Sequence, residues 1–229
     1  MDWLEDMDQQ LEPMEGVDAE DLVSSEEQLD LPRDYLSVSQ VGKWQGCGKQ
    51  YAFHYVEDKR GPYTSGLARG TAVHGVAETL NQYKIDHGQS MPPERLLETA
   101  VIDEVDSVLK EIEEWEERVP NEERMAEDVY ELSKLYFEEV LPTTRPRFVE
   151  QKIKTKINGV PFLGYIDLIE MTDETEHIEV DVDSSADSIN PDIIPAGDAV
   201  RDMKVTTRSK SQADADHDLQ LTLYAYVLG

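Results

Sequence analysis

Residues 148–170 read FVEQKIKTKINGVPFLGYIDLIE, and this stretch decides the fold. In its first half the alternation predicts a strand with Val149, Ile153 and Ile157 on one face and Glu150, Lys152, Lys154 and Lys156 on the other. Asn158-Gly159 follows. A type I′ turn needs positive φ at both central residues, and Asn-Gly between alternating runs is its strongest short signal. A two-residue loop also fixes the register. Ile157 then faces Val160, and counting outward sets Glu150 opposite Asp167. Directly opposed residues have Cβ atoms roughly 4.5–5.5 Å apart, so two carboxylates so placed repel. Lys152, or a bulge near Pro161, is one source of relief; a divalent cation is another.

A second stretch, AVRDMKV (199–205), favours the cation. Period-2 alternation predicts Asp202 and Lys204 on one face and Arg201, Met203 and Val205 on the other. A hard ion such as Mg²⁺ takes carboxylate oxygens and keeps several waters. Asp167 and Asp202 are the expected ligands, with Glu150 a further ligand or a supporting group. Lys204 is placed to orient or deprotonate an attacking water and to stabilise charge on a phosphate. Alone, D-x-K is a common tripeptide. Downstream, DADHDLQLTLYAYVLG (214–229) predicts a helix. Gln220 and Tyr224 are neighbours at i and i+4 on it, and Leu219, Leu223, Tyr226 and Val227 supply core contacts. By itself this is equally an ordinary amphipathic helix with one Gln at its edge.

Taken in order, these segments resemble the RecB-type branch of the PD-(D/E)XK nuclease superfamily, which includes CRISPR-adaptation nucleases and phage exonucleases. LSVSQVGKWQGCGKQYAFHYV (36–56) resembles the opening segment, and GLARGTAVHGVAETL (66–80) the segment whose histidine, His74 here, faces the metal. FLGYIDLIE (162–170) resembles the strand bearing the first aspartate, VRDMKVTT (200–207) the D/E-x-K strand, and DLQLTLYAY (218–226) the Q-x-x-x-Y helix. The resemblance implies an α/β fold with a restriction-endonuclease-like core, a mixed central β-sheet flanked by helices. It implies a Mg²⁺- or Mn²⁺-dependent deoxyribonuclease, an exonuclease more than an endonuclease, serving DNA recombination or repair. His74, Asp167, Asp202 and Glu150 would hold the metal, Lys204 would act on the water, and Gln220 with Tyr224 would position the strand or the lysine. DNA is the implied partner, with a recombination helicase or single-strand-binding protein beside it.

This chain departs from the pattern in two places. Residues 170–200 lengthen the gap between the aspartate strand and D-x-K, and hold a rival pair, Asp181 and Asp183, that no lysine follows. Some relatives also carry an iron–sulfur cluster, which takes four cysteines; Cys47 is the only cysteine here. The sequence stops inside an apolar helical run at Gly229, so a longer chain with further cysteines remains the alternative to a member without the cluster.

A net charge of −29 opposes nucleic-acid binding at first sight. Its distribution reverses that. Residues 1–30 carry 12 acids and no Lys or Arg, 94–140 carry 17 acids against 5 basic residues, and 170–200 carry 10 acids and none. The remainder is net positive and contains the motifs. Residues 1–33 read as a disordered acidic tail. Residues 34–229 read as the nuclease domain, with a helical insertion at about 92–141 and an acidic one at about 170–199. In the tail, Trp3, Leu4, Met7 and Leu11 have the spacing of a short partner-binding helix. Ser37 or Ser39 is expected to cap a helix from Gln40 to about Val56. His74 borders an apolar stripe of Val73, Val76, Ala77 and Leu80, where a satisfied, half-buried histidine is the ordinary case. There is no phosphate loop, and the acidic N-terminus lacks the order of a signal peptide. A cytoplasmic protein is expected, in the host cytoplasm if viral. The contrasting reading, from the charge, is a non-catalytic acidic DNA mimic or adaptor on a nuclease-like fold.

Overall fold

The computed structural model describes residues 31–59, 61–112, 121–180, 186–205 and 218–228. The acidic segment 1–30 and the Asp181/Asp183 pair lie outside them.

Strands β1 (Pro146–Ile157) and β2 (Val160–Glu170) form the hairpin, with Ile157 paired to Val160 as the turn requires. Asn158 and Gly159 have φ of 49° and 81°. A short β3 (Ala199–Arg201) runs antiparallel along the other edge of β2, which gives the order β1-β2-β3. Two parallel bridges, Leu36 to Phe162 and Ile153 to Ile189, widen the sheet and mix its sense.

One side of the sheet faces helices. Helix α3 (Ser65–Asp86) is capped by the Thr64 hydroxyl and packs against α4 (Glu94–Glu111) and α5 (Glu122–Leu135). Ala68, Ala72, Val76 and Leu80 along α3 are fully buried, a spacing of four residues that forms one helix face. The small side chains let α4 approach, where Leu97, Val101 and Val105 close the core. The other side is covered by Ile189, Ile194 and helix α6 (Leu219–Leu228), whose Tyr224 packs with Ile153, Phe162 and Ile166. No helix among the described residues is long and apolar enough to cross a membrane.

A buried polar cluster fixes α3 relative to β1. Lys84, 3% exposed, donates to the carbonyls of Leu141 and Thr144 in the 3-10 turn before β1. Desolvation by its surroundings lowers the Lys84 pKa. Asn81 donates to the Tyr136 hydroxyl at 2.7 Å and accepts from Thr144. These bonds satisfy groups that would be costly to bury alone, and they hold the helix that carries His74 in register with the hairpin.

Four expectations need correction, the simplest being Tyr226, which is 65% exposed and supplies no core contact. The helix expected from Gln40 to Val56 is broken into α1 (Val38–Gly46), a single turn α2 (Gly48–Tyr51) and a π turn (Ala52–Val56), because Cys47 is extended. Val149 does not share a face with Ile153 and Ile157. It sits beside His74 and Ala77, while Phe148 joins the cluster of Ile153. The reversal falls at Glu150, whose φ is 47°. Finally, β3 ends at Arg201, so Asp202 and Lys204 are not on a strand.

Candidate active site

The β ladder is interrupted on both sides of Asp167. Val149 pairs with Leu168 and Gln151 with Ile166, which leaves Glu150 opposite Asp167 in the register derived from the turn. On the far edge Leu168 pairs with Arg201, so a longer β3 would set Asp202 opposite Asp167 as well. Three carboxylates in one row across a sheet repel, and neither pair forms. Glu150 takes a left-handed backbone, which costs a non-glycine residue about 1–2 kcal/mol, and Met203 donates its backbone N–H to Asp167 Oδ2 at 2.8 Å. That bond ends the strand. Strain of this sort collects at functional sites.

His74 comes from α3 toward the same point, with Nδ1 3.6 Å from Asp167 Oδ2. His74, Glu150 and Asp167 each offer a ligand atom, and the three atoms lie within 4.8 Å of one another. They line a cavity with about 20 Å³ of free space, enough for one water-sized species. One imidazole and two carboxylates suit a hard divalent cation that keeps water in its remaining positions. Burial, and then the charge of Asp167, pushes the Glu150 carboxyl up to about 7.

The remaining motif residues form a second group beside the first. Lys204 Nζ lies 2.9 Å from Asp202 and 2.9 Å from Gln220 Oε1. The Asp202 carboxylate is only 5% exposed, and burial raises its pKa although the Lys204 bond opposes this. Gln220 Nε2 reaches the Tyr224 hydroxyl at 3.5 Å, and that hydroxyl donates to the Tyr165 carbonyl on β2. Tyr224 is 3% exposed, and its phenol is pushed up to about 12, chiefly by burial. Its ring fits only because residue 164 is glycine: a Cβ there would stand 2.7 Å from Tyr224 Cε1. So the helix bearing Gln220 is keyed to the strand bearing Asp167, and Lys204 is held between that helix and Asp202. Asp202 is not in the close trio, yet its charge acts on Glu150.

A family model for the PD-(D/E)XK nuclease superfamily matches residues 35–229. The chain belongs to the PD-(D/E)XK nuclease superfamily. No curated protein and no solved structure matches the chain significantly. Nucleases of this superfamily typically act through divalent metal, and the His74–Glu150–Asp167 group could hold such an ion.

Glu78 is the site residue that the sequence reading missed. It lines the same cavity, and burial raises its pKa. The signal was available: Glu78 lies four residues after His74, one turn along the same face.

Glu150 yields a stability test. Its folded pKa, raised to about 7, means that the fold prefers the protonated acid. The stability it contributes is therefore complete below the unfolded value near 4.5 and is lost as pH rises through 7. In EDTA at pH 8, Glu150→Gln should raise Tm by about 2–4 °C, taking roughly 1 kcal/mol after allowance for partial solvent screening. At pH 4.5 the two proteins should melt together. A scanning calorimeter at both pH values decides it; a variant less stable at pH 8 contradicts the assignment.

Proposed function

We propose that this chain is a divalent-metal-dependent deoxyribonuclease of the RecB-type branch, an exonuclease acting on DNA ends in recombination or repair. The observation that carries the reading is the convergence of His74, Glu150 and Asp167 from three separate segments, beside a lysine held by Asp202 and Gln220. The exonuclease preference and the branch rest on the motif resemblance. Mg²⁺ or Mn²⁺ bound here would supply an acidified water and neutralise charge on the scissile phosphate.

In this reading His74, Glu150 and Asp167 hold the ion, and Asp202, whose charge already acts on Glu150, is the carboxylate positioned to join them. Asp202 and Gln220 aim the Lys204 ammonium at the phosphate, where it takes up developing charge and guides the water proton. Tyr224 fixes Gln220 against β2. DNA is the substrate, with a recombination helicase or a single-strand-binding protein as the partner that presents ends, and the cytoplasm as the site of action.

Incubation of linear and covalently closed circular DNA with the protein tests this. Linear DNA should be degraded with Mg²⁺ or Mn²⁺, stay intact in EDTA, and be preferred over the circle. Equal activity in chelator would sink the metal mechanism; equal attack on the circle would sink the exonuclease assignment. No cleavage under any condition would favour the acidic adaptor.

Removing residues 1–30 takes away 12 acids and no Lys or Arg. The shortened protein should bind DNA more tightly, with the gain largest at low salt and fading as the Debye length shrinks to about 8 Å near physiological ionic strength. Titration of labelled DNA at two salt concentrations measures this; unchanged affinity at low salt would show that the segment does not compete with DNA.

A further inference from the structure

Residues 38–56 bury one side chain, Gln40. Val38 packs against the core, but three other apolar side chains of this segment are turned outward: Trp44 is 63% exposed, Val56 62% and Phe53 40%. Cations stand against its rings. The Lys49 and Lys59 ammonium groups lie 5.5 and 5.7 Å from the Phe53 centroid, and the Arg33 guanidinium lies 5.1 Å from that of Tyr55. In a chain of net charge −29, the described stretch 31–59 carries four basic residues against three acidic ones.

Tyr55 ties this segment to the active-site cleft. The Tyr55 hydroxyl donates to Ser39 Oγ at 3.3 Å, and Ser39 Oγ lies 3.0 Å from Ser37 Oγ. Ser37, Ser39, Arg33 and Tyr35 form one wall of a cleft of about 360 Å³, and Asp167 and Gln220 lie in the same cleft. Tyr165, 49% exposed, stands beside them.

Exposed aromatic rings with cations over or beside them suit unpaired nucleotides: bases stack on rings such as Trp44 while the ammonium groups that stand over Phe53 follow the backbone. A duplex keeps its base faces stacked inside and offers such rings nothing. The cleft adds hydroxyls and a guanidinium, donors that suit phosphate oxygens. We infer that residues 33–59 form a platform for single-stranded nucleic acid, which feeds an unpaired end along the Arg33–Ser39 cleft to Asp167. The substrate of the site is then a single-stranded end. This rests on the nuclease reading and narrows it.

The test compares the full-length protein with Trp44→Ala/Phe53→Ala and with Trp44→Tyr/Phe53→Tyr. Fluorescence anisotropy in EDTA measures binding of labelled oligothymidylate and of a blunt duplex, so no cleavage is needed. The wild type should bind the single strand about tenfold or more tighter than the duplex, and the alanine pair should lose about 25-fold or more, two stacks at about fivefold each. The tyrosine pair, which keeps two faces for stacking, should stay within about threefold. With Mg²⁺ present, the alanine pair should show its defect in KM for single strands and not in kcat. Equal binding of the duplex by the wild type, or undiminished binding of oligothymidylate by the alanine pair, overturns the platform. If binding follows the platform but no phosphodiester is cut, the platform stands and the nuclease reading falls. If cutting proceeds with unchanged KM in the alanine pair, the reverse holds.

Discussion

Lys204→Ala should reduce single-turnover DNA cleavage by about 10²–10³-fold or more, the usual loss when one positioned charge-stabilising donor is removed. The lysine is not among the three residues proposed to hold the cation, so Mn²⁺ affinity should be unchanged and DNA affinity nearly so. Its two partners explain why it is held in place. Asp202 contributes a buried carboxylate and Gln220 a carbonyl, each 2.9 Å away, and the ammonium is left partly exposed. Rapid-quench measurement of cleavage, beside a Mn²⁺ titration of the same variant, separates the two effects. A variant that cleaves at the wild-type rate removes Lys204 from the chemistry. An inactive Asp183→Ala beside an active Asp202→Ala would move the site to the other acidic pair.

Asp167→Asn should abolish cleavage by a different route. Asparagine retains an oxygen for the Met203 N–H, so the end of β3 and the fold are kept. What disappears is one of the charges in the trio. Metal affinity should fall by about 10²-fold or more, beyond what loss of a supporting partner costs. Repulsion with Glu150 is also removed, so the Glu150 carboxyl should return part of the way toward its ordinary range. Calorimetric titration of Mn²⁺ into the variant checks the first effect; wild-type affinity would exclude Asp167 as a ligand.

The hairpin was legible because Asn158-Gly159 admits positive φ twice and so leaves one register. From that register alone, Glu150 falls opposite Asp167, and the close approach of their side chains follows. What alternation could not carry was the response of the backbone to that crowding. Glu150 turns left-handed, which swings Val149 to the α3 side. The Met203 N–H goes to a carboxylate instead of a neighbouring strand, which stops β3 at Arg201. Both departures occur where like charges oppose, and period-2 reading has no term for charge. The break at Cys47 was hidden for another reason: a cap at Ser37 or Ser39 marks where a helix starts, and no proline within residues 40–56 marks the extended Cys47 that divides it. Its spacing from His74 apart, Glu78 was not legible because it lies beside the apolar stripe of Val76, Ala77 and Leu80, where a lone acid has the pattern of an ordinary solvated helix edge.

The nuclease reading turns on whether His74, Glu150 and Asp167 bind one divalent cation together. Electron paramagnetic resonance of free Mn²⁺ counts bound ions directly. Wild-type protein should take up one Mn²⁺ per chain at this site, displaced by Mg²⁺, and His74→Ala, Glu150→Gln and Asp167→Asn should each weaken that same ion. If the wild type binds no Mn²⁺, or if the three variants bind it as the wild type does, the trio is not a metal centre.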